Sequence, residues 1–282
     1  MRGALLVSLA ALMFASMGSL VRAASASVNT EQAVFLRNLF GLLFLLPLLY
    51  RSEGGLSLRT QYPYRHLARS LFGLAAMYCF FYALGKLPLA EAVLLNFTAP
   101  LFVPLAAYFI LGERASRRVL AAIALGFGGV LLVLKPSVSL YSGAAMVGLA
   151  SGALAGLAMV MLRKLVATEP AGRVVLYFAS IGTTLSAAPA LAHWHPLPVA
   201  AIVQLAGAGA FATTGQYLLS KGYGHAPAAQ VAPFSYSSVV FAAGFGWLFW
   251  RELPDALTVA GTLLIAGAGV LAVRREPLAQ AG

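Results

Sequence analysis

The strongest constraint on this chain is a series of ten apolar runs, at about residues 3–21, 32–50, 67–85, 89–111, 116–134, 142–162, 173–192, 199–219, 227–250 and 256–273. Each is long enough to cross a hydrocarbon core, which takes about 20 mostly apolar residues. The connections are short and polar or proline-bearing: RSEGGLSLRTQYPYRH, GKLP, GERASRR, KPSVSLYS, RKLVATEPAGR, HWHPLP, KGYGHAP and RELPD. Only 10% of the 282 residues are charged and 61% are hydrophobic, whereas a soluble domain carries about 25% charged residues. A water-soluble fold of this length has no interior large enough for so much apolar surface. The expected class is an all-α membrane protein with ten transmembrane helices. The first run follows Met1-Arg2 and resembles a signal peptide, but its length and the nine runs after it favour a retained helix.

The net charge of +11 would suggest nucleic acid in a soluble protein. Here the basic residues flank apolar runs and read as topology signals, so no nucleic-acid partner is expected. With the N-terminus placed in the cytoplasm, fourteen Lys and Arg residues, Arg65, Arg69, Arg114 and Lys221 among them, fall on the cytoplasmic side. Four (Arg22, Lys86, Lys135 and Arg251) fall outside, and Arg37 lies within the second run. This bias predicts a multi-pass membrane protein with both termini cytoplasmic.

Sliding the chain on itself by 139 residues superposes Tyr78 on Tyr217, Gly85 on Gly224, Pro88 on Pro227, Phe102 on Phe241 and Glu113 on Glu252. Ser116 meets Asp255, and both are good caps for the helix that follows. Near the start of each half a shift of 140 fits better, bringing Gly3 onto Gly143 and Val7 onto Val147. Two five-helix units are expected, 1–136 and 137–282. Five is odd, so the second unit enters the membrane from the opposite side, giving an inverted repeat. Glu113 and Glu252 sit just before helix N-termini, where the dipole favours an acid, and are expected to be structural. Gly148, Gly152 and Gly156, spaced by four, together with GFGG at 126–129 and Gly261, Gly267 and Gly269, predict close helix packing.

The arginine in FLRNLFGLLFLLPLL, the stretch LPLAEAVLLNFTAPLFVPLAAYFILGERAS, the run GFGGVLLVLKP and the second-half WRELPDALTVAGTLLIAGAGVLAV together resemble the EamA-type branch of the drug/metabolite transporter superfamily. The resemblance covers essentially the whole chain. It implies export of amino acids or other small metabolites across the bacterial inner membrane through a central cavity shared by the halves, and the chain looks most like bacterial exporters of aromatic amino acids. The second half departs from the first in having no arginine equivalent to Arg37; Ala179 stands near that place.

A cargo cavity is expected at the bilayer midplane between the repeats. Polar and aromatic residues near mid-span are its candidate lining: Tyr78 and Tyr82 in the third run, Asn96 and Thr98 in the fourth, Gln216 and Tyr217 in the eighth, and Ser235, Tyr236 and Ser237 in the ninth. Phe14 and Met17 of the first run would add an apolar wall. The bland alternative is that Ser and Thr bond back to their own helices and that Tyr sits at the interface. Pro100, Pro104 and Pro233 predict kinks, as static bends or as gates.

All eight acids fall at span ends or in loops, so no carboxylate is expected at mid-membrane. Proton relays use buried Asp, Glu or His. Transport is therefore expected to be facilitative, with Glu91 the weak point. Arg37 is read as a gating or structural pair with Glu31 or Glu91, as a partner for a cargo carboxylate, or as a snorkelling anchor. No catalytic residue, cofactor or metal is expected. Cys79 is the sole cysteine, and His193 and His195 read as a solvated loop rather than a chelating pair. A membrane enzyme lacks a reactive constellation, a channel lacks a filter sequence, and a structural subunit has no need of the repeat. Nucleotide-sugar, nucleoside and drug carriers remain as alternatives, although the scarcity of mid-membrane charge favours neutral or zwitterionic cargo. The partners expected are a small-molecule substrate and the lipid bilayer; a monomer is compatible with this.

Overall fold

The computed structural model describes residues 2–52, 59–99, 101–103, 105–106, 117–134, 143–166, 168–225, 234–235 and 237–273. Glu113, Ser116, Pro100, Pro104, Pro233 and Tyr236 lie outside them. The described residues contain no strand, and their helices are α1 (Arg2–Ala24), α2 (Thr30–Ser52), α3 (Pro63–Leu84), α4 (Leu89–Asn96), α5 (Arg117–Leu134), α6 (Gly143–Val166), α7 (Ala171–Ala192), α8 (Val199–His225), α9 (Ser237–Trp250) and α10 (Ala256–Val273), with further helical residues at 99, 101–103 and 105–106. Among them Gly3–Ala24, Pro63–Leu84, Gly143–Leu162 and Gly172–Ala192 are long and apolar enough to cross a membrane. Large apolar side chains stay exposed on several helices, including Leu43 at 54%, Val240 at 68% and Leu263 at 69%. Such a surface suits lipid and is unfavourable in water. The protein is an all-helical multi-pass membrane protein.

The fourth run, expected as one span, is a short helix followed by a break. The Phe97 and Thr98 amides bond to Val93 and Leu95 oxygens, and the Thr98 hydroxyl turns back to Leu95 O at 2.6 Å. Pro100 has no N–H to give to Asn96 O, so a regular helix could not continue unbroken there. At the other end, α3 begins at Pro63, more than a turn earlier than its hydropathy indicates, with proline in the first turn where a missing N–H costs nothing. This start moves Arg69 well into the helix.

The helices associate in a repeating scheme. α1 lies along α8 and also touches α9, while α6 lies along α3 and also touches α4. α2 meets α7 and α8, and α7 meets α2 and α3; α5 pairs with α10, and α4 with α9. Small residues bring these backbones together. A Cβ on Gly152 of α6 would stand 2.2 Å from Thr98 Oγ1 and 2.6 Å from Leu95 O, and one on Gly148 would stand 2.9 Å from a Leu95 methyl. The same holds where α5 crosses α10, since a Cβ on Gly129 would lie 2.7 Å from Gly261 O. The glycine stripe of the sixth run is thus a packing surface, as its spacing indicates.

The loop between α6 and α7 is tied down by Glu169. It accepts from the Thr60 hydroxyl at 2.6 Å and from Arg173 Nη1 at 2.5 Å. Burial alone would raise this carboxyl, but the Thr60 hydrogen bond and the Arg173 guanidinium outweigh it and hold Glu169 below the ordinary value of 4.5. The loop carrying His193 and His195 is anchored through its backbone, with His193 O accepting from Asn29 Nδ2 at 2.9 Å and His195 O from Gln32 Nε2 at 2.8 Å.

Two outcomes follow from these contacts. Gly152→Val should lower stability by about 1–3 kcal/mol, read as a fall in melting temperature in detergent. Gly128→Ala, whose Cβ meets nothing within 4 Å inside a helix, should not lower it. For Glu169, the folded carboxyl is the more acidic one, so its stabilisation is complete above the unfolded value and is lost as pH falls through the folded value, below 4.5. Glu169→Gln should therefore melt below the parent protein at about pH 7, with the gap narrowing as the pH is taken down below 4.5.

Candidate functional site

A cavity of about 260 Å³ lies where helices from both halves of the chain meet. α1 contributes Val7, Ala11, Phe14 and Met17; α3 contributes a stripe of Arg69, Gly73, Ala76, Met77 and Phe80. These α3 positions recur at helical spacing and so share one face. Arg37 enters from α2, Asn96 from α4, Met159 and Leu162 from α6, Phe178 from α7, Gln216 and Leu219 from α8, Ser235 from just before α9 and Ser238 from its first turn. The walls are mainly aromatic and aliphatic.

Of the residues expected to line such a cavity, Phe14, Met17, Asn96, Gln216 and Ser235 do so, and Arg37 joins them. Asn96 Nδ2 also donates to Ser151 Oγ at 3.1 Å, tying α4 to α6. Tyr78 and Tyr82 do share a helix face, but a neighbouring one. Tyr78 packs into the apolar core with its hydroxyl buried and unpartnered among the described residues, and Tyr82 is 42% exposed. Thr98 is fully buried and bonds back to Leu95 O. Ser237 Oγ bonds to Phe234 O at 2.6 Å, and Tyr217 carries the Lys221 ammonium 4.5 Å above its ring. Tyr236 is outside the described residues.

The arginines are the less expected feature. Arg37 Nη1 donates to Asn38 Oδ1 at 2.8 Å; neither Glu31 nor Glu91 is its partner. Arg69 reads from the sequence as a cytoplasmic flanking charge, but it is 9% exposed, lies over the Phe178 ring at 4.0 Å and faces the same cavity. The early start of α3 at Pro63 is what carries it there. Its spacing to Gly73, Ala76 and Phe80 is the sequence signal that marks it. Phe178, Met159 and Ser238 carry no comparable signal in a chain this rich in such residues.

The far end of α1 forms a separate polar corner. Arg22 Nη1 donates to Leu87 O at 2.7 Å, Arg22 Nη2 pairs with Glu252 Oε1, and Glu252 Oε2 accepts from the Leu89 N–H at 3.2 Å. The Arg22 guanidinium lies 5.0 Å from the Trp250 ring centroid. Arg251, with φ of 58°, ends α9 in a turn that directs Glu252 toward α4. Glu252 does sit at a helix N-terminus, but at that of α4 and not at the helix next in sequence. Asp255 caps the latter, accepting from the Thr258 N–H at 2.9 Å. Glu91 borders a second cavity of about 220 Å³ beside this corner, with Glu252 and Asp255.

A helical membrane protein with a cavity walled by helices from both halves of the chain is built as a small-molecule transporter is built. The chain belongs to the EamA-like transporter family, whose family model matches residues 1–135 and again 142–274, and through it to the drug/metabolite transporter superfamily. It is 38% identical to the pseudopaline exporter of Pseudomonas aeruginosa, over 97% of this chain and 96% of that one. It is 31% identical to a riboflavin transporter of Rhizobium johnstonii, covering 88% and 82% of the two chains. It is 25% identical to an S-adenosylmethionine uptake transporter of Rickettsia prowazekii, covering 88% and 84%. A solved structure superposes with a TM-score of 0.65 over 95% of this chain and 96% of the other, at 22% identity, and so shares the fold.

The Arg22–Glu252 corner generates a prediction. Arg22→Ala, Glu252→Ala and the double variant should give a coupling energy of about 1–3 kcal/mol in thermal or denaturant unfolding, because each single change strands a partly buried charge.

Proposed function

We propose that this protein is an inner-membrane exporter of small metabolites, amino acids or close relatives of them, working by alternating access between two inverted five-helix units, 1–136 and 137–282. The observation that carries this reading is the composition of the cavity: both units supply its walls, and Asn96 and Gln216 bring polar groups into an otherwise apolar space. The helix pairing supports the inverted arrangement. Advancing every helix by five, cyclically, turns the α1–α8 contact into α6–α3, α1–α9 into α6–α4, and α2–α8 into α7–α3. Two units related in this way can exchange conformations, which opens one face as the other closes.

The lining residues lie toward the N-terminal half of α1 and the C-terminal ends of α6 and α8. The Lys and Arg distribution assigns that face, with both termini, to the cytoplasm. The opposite end of α1 carries the Arg22–Glu252 corner. Entry from the cytoplasm fits export, and the likeness to the pseudopaline exporter supports the same direction. No carboxylate or histidine is among the described lining residues, in keeping with facilitative flux.

Flux in proteoliposomes containing the purified protein tests the reading, with a panel of radiolabelled amino acids, nucleosides and vitamins run with and without a pH gradient. Saturable flux of an amino-acid-class solute that persists without the gradient is expected. Saturable flux of nucleosides or vitamins alone would shift the cargo class. Flux seen only with a gradient would overturn the facilitative mechanism, with Glu91 the first residue to replace.

A further inference from the structure

Two arginines face one cavity, and no described acid faces it with them. Arg37 is 7% exposed and Arg69 is 9% exposed, and both line the same space. Arg37 spends one nitrogen on Asn38, while its Nε is buried without a partner among the described residues. Arg69 has both Nε and Nη1 buried without a partner among the described residues and rests on the Phe178 ring. The remaining polar lining is neutral: Asn96, Gln216, Ser235 and Ser238. Holding even one unpaired cation out of water costs several kcal/mol, and two like charges around one space add to the cost. Such an arrangement is compensated when an anion occupies the space.

We infer that the cargo is a small organic acid with at least two carboxylates, received by Arg37 and Arg69 together. This rests on the reading that the cavity holds the cargo, and it refines the class. A neutral amino acid brings one carboxylate but also an ammonium, which would meet two guanidiniums and no acid. A cargo with excess negative charge satisfies both arginines, and each guanidinium is a planar fork shaped for a carboxylate. A phosphate matches the same fork. The apolar walls, with Phe14, Phe80 and Met159, favour an organic body carrying separated carboxylates over a compact phosphate ester. The neutral cargo expected from the scarcity of mid-membrane charge gives way to an acidic one, because Arg69 is inside the helix and not at its flank.

The test is binding to the full chain in nanodiscs, by titration and by thermal shift, with glutamate, citrate, leucine, phenylalanine and glucose 6-phosphate as probes. Glutamate or citrate should bind at least about tenfold more tightly than leucine or phenylalanine. Arg37→Gln and Arg69→Gln should each weaken the acid by about thirtyfold or more, and Arg37→Lys and Arg69→Lys should keep part of the affinity, since charge remains while the fork is lost. Should a Gln variant fail to fold, the Lys variants and the probe ranking on the parent protein decide the matter. Equal binding of leucine, equal binding of glucose 6-phosphate, acid binding indifferent to both arginines, or no binding of either acid would each overturn the inference. Saturable leucine flux that survives both Gln substitutions would sink this inference and leave the carrier reading standing. Absence of saturable flux for every solute would count against the carrier itself.

Discussion

Close backbone approach between helices is the constraint on which the rest of this structure depends. In lipid there is no hydrophobic force to press one apolar helix on another, so association relies on dispersion contacts and on hydrogen bonds at short range. This chain meets that demand with glycine at its crossings. Gly152 lies against Leu95 and Thr98, Gly209 against the Gly41 amide, and Gly129 against Gly261 O. With backbones this near, α6 can brace the short α4, and the interruption after Asn96 is held in place by its neighbours. A broken helix at membrane depth is tolerated only when it is buried in protein or lines a cavity. Here it does both, since Asn96 bonds to Ser151 on one side and borders the cavity on the other.

That frame separates two polar centres along α1. Toward the N-terminus the helix borders the cavity with Val7 through Met17. Toward the C-terminus, Arg22 gathers Leu87 O and Glu252, and Glu252 in turn holds the first amide of α4. Arg22 and Glu252 are matched at the corner, whereas no acid among the described residues faces Arg37 and Arg69 in the cavity. A corner of matched charges is a contact that can be made and broken as a unit. The two are joined by a single helix and by α4, whose first turn touches the corner and whose last turn touches the cavity.

The helices were legible in the sequence because lipid leaves few options: apolar runs of sufficient length must be helical. The pairing of Tyr78 with Tyr217 and Glu113 with Glu252 also made the repetition visible. Asn96, Gln216, Ser235, Phe14 and Met17 were legible as cavity residues because a polar or aromatic side chain at mid-span needs somewhere to go. Tyr78 and Tyr82 were not, because hydropathy does not give the rotation of a helix about its axis, and the cavity face of α3 runs through Arg69, Gly73 and Phe80 instead. Arg69 was misplaced for a related reason. Polar residues at 61–66 disguise the first turns of α3, so a charge two turns inside the helix reads as a flank. Likewise the partner of Glu252 lies across the fold at Leu89 and Arg22, and neither is near it in the chain.

The central claim is that cargo passes through the cavity shared by the two halves. Its most direct test is site-specific blockade. In a Cys79→Ala background, which removes the only native thiol, Gln216→Cys is labelled with a methanethiosulfonate reagent and flux is measured in proteoliposomes. The account predicts that labelling at 216 abolishes saturable flux, that excess cargo slows the labelling, and that the same reagent at the exposed Val240→Cys position has no effect. Undiminished flux through protein fully labelled at 216 would contradict it.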